Sequence, residues 1–151
     1  MITFLAFWVH DLDPVAFRFP EGWPLGGVHW YGLAYAAGFL VAAWLISRWR
    51  RAGLTPLRDA PDESSLMTAL MVGVVAGGRL GHVLLYARAE FAADPAMVLR
   101  VWQGGMASHG GFLGVVLACL WFARRRRVTF LSVGDLVCAA APAGLLFGRL
   151  A

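Results

Sequence analysis

Leu66-Met67-Thr68-Ala69-Leu70-Met71-Val72-Gly73-Val74-Val75-Ala76-Gly77-Gly78-Arg79-Leu80-Gly81-His82-Val83-Leu84-Leu85-Tyr86 carries a single formal charge, Arg79. A helix rises about 1.5 Å per residue, so a run of this length matches a hydrocarbon core roughly 30 Å thick. The run does not alternate apolar and polar residues at period two, which argues against a barrel strand. A helix satisfies its own backbone hydrogen bonds, so in lipid an apolar run of this length is expected to be helical. Three further runs have similar character: Val28–Trp49, Gly105–Phe122 and Phe130–Leu150. The prediction is an all-α, polytopic helical membrane protein with about four transmembrane helices over 28–150. Residues 1–151 would form a single integral-membrane domain, with 1–27 an outward-facing interfacial segment.

Composition agrees. The chain is 60% hydrophobic and 15% charged, whereas soluble domains carry about 25% charged residues. All 13 basic residues are arginine. A pI near 9.8 would suggest a nucleic-acid partner in a soluble protein. Here the arginines lie between apolar runs, so membrane lipids are the expected contact and nucleic acid is not. The apolar start Met1–Val9 has no basic region before it and no small-x-small cleavage site after it. It is read as a short interfacial or re-entrant segment rather than a cleaved signal.

The loops set the orientation. The first holds Arg48, Arg50, Arg51 and Arg58, and the third holds Arg124, Arg125, Arg126 and Arg127. The second balances Arg88 and Arg100 against Glu90 and Asp94. The positive-inside rule makes the first and third loops cytoplasmic and puts the N-terminus on the outer side. The run Arg124–Arg127 reads as an orientation signal in contact with anionic lipid. Cys119 and Cys138 lie in apolar runs without metal-ligand spacing and read as small apolar residues. Gly73, Gly77 and Gly81, then Gly110, Gly114 and Ala118, then Gly144 and Gly148, recur at four-residue spacing, which favours close helix packing.

Ionisable groups in a membrane are costly and usually functional. This orientation brings Tyr31, Arg79, His109 and Arg149 toward the outer half of the bilayer, each from a different run. Each also has a plainer role: an aromatic-belt anchor for Tyr31, snorkelling or structural pairing for Arg79, capping for His109, snorkelling for Arg149. Asp135 falls near the cytoplasmic end and is expected to pair with a nearby arginine or cap a helix. His10 and His82 join no constellation. In Trp102-Gln103-Gly104-Gly105-Met106-Ala107-Ser108-His109-Gly110-Gly111 one histidine stands between two glycine pairs. Two guanidiniums at outer-leaflet depth suit a phosphate, for which a phospholipid headgroup is the nearest source. A neutral histidine beside it would take a proton from a nucleophile.

Asp11-Leu12-Asp13-Pro14-Val15, His29-Trp30-Tyr31-Gly32-Leu33, Gly77-Gly78-Arg79-Leu80-Gly81, Trp102 through Gly111, and Gly148-Arg149-Leu150 follow one another in order. In this the chain resembles the N-terminal part of the prolipoprotein diacylglyceryl transferases. The resemblance implies an inner-membrane enzyme, with its site facing the periplasm, that moves the diacylglyceryl group of phosphatidylglycerol to the thiol of a lipobox cysteine in prolipoprotein signal peptides. This is the first step of lipoprotein lipidation, and it implies no cofactor and no metal. By position, His109 matches the essential histidine, a base or proton shuttle, and Arg149 matches a headgroup-binding arginine. Tyr31 matches a functionally important tyrosine, while Arg79, Gly110 and Gly111 fall in glycine-rich motifs as supporting residues. Beyond Gly148-Arg149-Leu150 the family signature continues with glycine, asparagine, phenylalanine, isoleucine and asparagine. About three more helices and a second essential arginine follow, so the chain is expected to lack activity alone. Two other readings are a non-catalytic truncated interaction or scaffold protein, which would need neither His109 nor Arg149, and half of a transporter, which would place its site near the midplane.

Overall fold

Helices occupy all four apolar runs in the computed structural model, which describes residues 13, 15–20, 27–101 and 104–150. The expectations for Met1–Val9 and His10, for most of the 1–27 segment and for Trp102-Gln103 lie outside the described residues. The long helices are α1 (Trp30–Arg51), α2 (Ala60–Leu85), α4 (Ser108–Arg126) and α5 (Phe130–Leu150), with a short α3 (Arg88–Ala93) and a 3-10 turn (Pro95–Leu99) between α2 and α4. By length and composition α1, α2 and α5 are each able to cross a membrane. α4 falls short of that measure. It begins Ser108-His109-Gly110-Gly111 and has Arg124, Arg125 and Arg126 in its last turn, polar ends that dilute its apolar middle.

Two boundaries differ from the hydropathy reading. α2 starts at Ala60 rather than Leu66, because Asp59 caps it: its carboxylate accepts the Asp62 N–H at 2.9 Å, a proline stands in the first turn, and Asp62 and Glu63 follow. Acidic groups there complement the helix dipole. The first run begins as a strand. β1 (Val15–Arg18) and β2 (Gly27–His29) form an antiparallel pair with Val15 opposite His29 and Arg18 opposite Gly27. The chain turns helical only at Trp30. These strands are too short for periodicity to register.

α2 packs most extensively on α4, and α1 on α5. The α2–α4 contact is backbone on backbone: a Cβ at Gly77 would stand 2.3 Å from the Gly110 carbonyl oxygen, and one at Gly73 2.5 Å from that of Gly114. The expected glycine stripes therefore serve close packing. The partners' numbers fall along α4 as they rise along α2, so the two helices are antiparallel. α1 and α5 cross where a Cβ at Gly38 would lie 2.9 Å from the Gly144 Cα. Two residues earlier Pro142 lies inside α5 and leaves the Cys138 carbonyl without its helical N–H.

All four long helices share one buried cluster that includes Ile46, Leu66, Leu70, Cys119, Phe122, Val133 and Leu136. It lies in the half of the bundle nearer the arginine-rich connections. Cys138, by contrast, is exposed. The same end is closed by polar contacts. Arg50 Nε lies 2.9 Å from Glu63 Oε2, joining α1 to α2. Asp62, 2% exposed, lies 2.7 Å from Arg126 Nε and accepts the Arg58 backbone N–H at 3.1 Å. The Arg126 Nε–H is not aimed at the carboxylate, so that contact is an ion pair rather than a hydrogen bond. The sequence expectation gave this role to Asp135. That residue is exposed and has no ion pair among the described residues; it lines a groove with Trp49, Thr55, Pro56 and Ser132. Asp135 is nearer the arginine run in sequence, but the antiparallel packing of α2 on α4 delivers Asp62 to Arg126.

Candidate functional site

The end of the bundle opposite the arginine-rich loops collects the residues singled out from sequence. Short connections at 52–59 and 127–129 and the antiparallel pairs bring Tyr31, Arg79, His109 and Arg149 to that one end. From the Gly38–Gly144 crossing, Tyr31 lies about 10 Å and Arg149 about 7 Å along their helix axes.

His109 is the second residue of α4. Its side chain is exposed, and no hydrogen bond or ion pair holds it among the described residues. The turn beneath it is fixed by backbone. Ala107 donates its N–H to the Gly78 carbonyl at 2.9 Å, and Gly111 donates to the Ala107 carbonyl at 3.0 Å. Gly104 and Gly105 approach that turn with φ of +80° and +79°, a region open to glycine and strained for other residues. Gly105 is restricted twice, since a Cβ there would meet His82 Nε2 at 2.5 Å.

The two glycines after His109 part company. A Cβ on Gly110 would lie 2.1 Å from the Gly77 carbonyl oxygen, so Gly110 belongs to the α2–α4 seam. Gly111 has nothing closer than the Val74 carbonyl oxygen at 3.9 Å, and packing does not require it.

Arg79 departs most from the sequence reading. It is 3% exposed, and its donors all face inward. Nε donates to the Val98 carbonyl at 3.2 Å; Nη1 donates to Gly104 and, at 3.2 Å, to Gly105; Nη2 donates to Met97 and, at 3.2 Å, to Arg100. A guanidinium has five N–H groups, and each has a carbonyl. The idea that Arg79 offers a second guanidinium to a phosphate is therefore revised: the loop between α3 and α4 uses all its donors. No carboxylate pairs with it among the described residues, so carbonyl dipoles alone compensate the buried charge.

Arg149 lies exposed in the last turn of α5, without a partner among the described residues. Tyr31 is exposed, and its hydroxyl shares a hydrogen bond with the Tyr35 hydroxyl at 2.8 Å. Sequence reading missed Tyr35 and His82. Their signals were helical spacing, i to i+4 from Tyr31 and i to i+3 from Arg79. No hydrogen bond, ion pair or ring contact joins Tyr31, His109 and Arg149 to one another among the described residues. What they share is one end of the bundle and free polar atoms: an imidazole and a guanidinium, able to move a proton and to hold an anion.

The fold defines a multi-pass helical membrane protein, and one end of its bundle carries an exposed histidine and arginine that have no partner among the described residues. The family model of prolipoprotein diacylglyceryl transferase matches residues 14–151. Proteins named phosphatidylglycerol–prolipoprotein diacylglyceryl transferase are similar over nearly the whole chain. The one from Stenotrophomonas maltophilia (strain R551-3) is 44% identical over 142 residues, 93% of this chain and 46% of the relative. That from Xanthomonas euvesicatoria pv. vesicatoria (strain 85-10) is 45% identical over 146 residues, 95% of this chain and 47% of the relative. That from Xylella fastidiosa (strain M12) is 44% identical over 146 residues, 95% of this chain and 46% of the relative. The chain belongs to the prolipoprotein diacylglyceryl transferase family, and it spans about half the length of these relatives.

Proposed function

We propose that this chain supplies one wall of a site that transfers the diacylglyceryl group of phosphatidylglycerol to a lipobox cysteine of a prolipoprotein. His109 takes the proton of the cysteine thiol, since the thiolate is the competent nucleophile. The sulfur bonds to the glyceryl carbon as the carbon–oxygen bond to phosphate breaks, and glycerol 1-phosphate leaves. Arg149 holds the phosphate and stabilises the negative charge that grows on it. Tyr31 contributes a hydroxyl at the same end of the bundle. The protein sits in the bacterial inner membrane as one integral domain with four spans over 28–150. Residues 1–27 and the site face the periplasm.

The observation that carries this reading is that one end of the bundle holds both an exposed imidazole, at the start of α4, and an exposed guanidinium, at the end of α5, neither with a partner among the described residues. The test replaces the matching segment of the Stenotrophomonas relative with this chain. Transfer of radiolabelled diacylglyceryl from phosphatidylglycerol to a lipobox peptide is then followed in proteoliposomes. The chimera is expected to transfer label and its His109→Ala form to lose it. Normal transfer by His109→Ala would refute the assignment.

A further inference from the structure

We infer that Arg79 is a positioning residue: its guanidinium gathers the backbone of Met97, Val98, Arg100, Gly104 and Gly105 between α3 and α4, and through these residues it sets the first turn of α4 that presents His109. The role of His109 rests on the function proposed above; the folding of the loop around Arg79 does not.

Besides Arg79, this stretch is held by the Arg100–Asp94 ion pair at 2.6 Å and by short-range backbone bonds from Arg100 to Met97 and from Gly104 to Val101, all of them local to the segment and none reaching α2. Leu99 and Val101 point outward, and two successive glycines at positive φ give Gly104-Gly105 wide conformational freedom in the absence of restraint. Arg79 removes that freedom by taking carbonyls from both ends of the loop, Met97 and Val98 on one side and Gly104 and Gly105 on the other. Two residues on, Ala107 is tied to Gly78, the neighbour of Arg79, at 2.9 Å. The same stretch of α2 therefore anchors the loop by a side chain and the start of α4 by a backbone carbonyl. A planar fork with five donors is needed. Lysine has three N–H groups; the Met97 carbonyl also accepts the Arg100 N–H at 3.1 Å, so at least one of the other four carbonyls would lose its partner. Since no donor of Arg79 remains free, it acts on the site through His109 and not on a headgroup.

The experiment uses the chain in nanodiscs, with hydrogen exchange read by mass spectrometry and the rate of His109 carbethoxylation by diethyl pyrocarbonate as a local probe. In Arg79→Lys, amides from Arg100 to Ala107 are expected to exchange about tenfold faster, while the middles of α2 and α4 stay within about twofold of the parent. His109 carbethoxylation should change several-fold in parallel. Arg79→Ala should show a larger loop effect, and methylguanidinium at about 10 mM, but not equal sodium chloride, should restore both readouts by refilling the cage. If Arg79→Ala loses protection throughout α2 and α4, the lysine variant decides. Loop exchange and His109 reactivity unchanged in Arg79→Lys would overturn the inference. So would a uniform rise across both helices in that variant, which marks a general stability role. Loss of the proposed transferase reading, by an active His109→Ala chimera, would leave the exchange result standing, so the two failures are separable.

Discussion

A Cβ on Gly114 would stand 1.8 Å from the carbonyl oxygen of Gly73. No rotamer change relieves such a clash, because both partners are backbone. α2 and α4 approach this closely only because Gly73, Gly77, Gly110 and Gly114 lack side chains. Gly110→Ala must push the helices apart and is expected to destabilise the chain by about 2–3 kcal/mol, the scale of overpacking a tight interface. Gly111→Ala, one residue on, should be nearly neutral. Thermal unfolding in detergent, with the two variants side by side, checks the contrast.

Asp62 closes the opposite end of the same helix pair. It is buried, faces Arg126 at 2.7 Å and accepts the Arg58 N–H. Asp62→Ala leaves Arg126 without its counter-charge and removes an acidic residue from the first turn of α2. A loss of about 2–4 kcal/mol follows, since breaking a buried pair from one side costs more than the pair contributes. Asp135→Ala, at an exposed carboxylate with no ion pair among the described residues, should shift the same unfolding midpoint little.

Arg149 is assigned to the phosphate, so its effect should be geometric as well as electrostatic. In the chimera, Arg149→Ala should lower kcat/KM for phosphatidylglycerol by about 100-fold. Arg149→Lys should recover only part of that, because an ammonium lacks the planar two-donor fork. Equal rates for lysine and arginine would reduce the role of Arg149 to charge alone.

Asp13 provides a pH test outside the spans. Its carboxylate accepts the Val15 N–H at 2.9 Å and pairs with Arg18 at 2.6 Å. The Val15 hydrogen bond first, and the Arg18 hydrogen bond second, hold its pKa below the ordinary 3.8. A carboxyl whose folded pKa is depressed stabilises the fold above its unfolded value and loses that contribution as pH falls through the folded one. The Val15 amide resonance of selectively labelled protein should therefore stay put from pH 7 down to the ordinary carboxylate range and move only below it. Asp13→Asn should abolish the titration.

Much of the architecture was legible in the chain itself. Phe130–Leu150 is helical over the whole of the run read from hydropathy, because a segment this apolar has few alternatives in lipid. The start of α2 was not legible from hydropathy, since Asp59, Asp62 and Glu63 are polar. Their capping pattern held the signal instead. Asp62 and Asp135 show the limit of sequence distance. Asp135 is nearer the arginine run along the chain, but antiparallel packing selects Asp62.

By itself, the sequence determined the class and family of this protein, the helical runs and the presence of His109 and Arg149. Those properties depend on side-chain identity, and the motifs carry it. Only the tertiary structure decided what Arg79 does. Its partners are the carbonyls of Met97, Val98, Arg100, Gly104 and Gly105, groups that every residue carries. No side-chain pattern records where such carbonyls converge. Their convergence follows from the path of the chain between α3 and α4, and that path turns an intramembrane arginine that looked ready to bind a phosphate into the post that holds the histidine's loop.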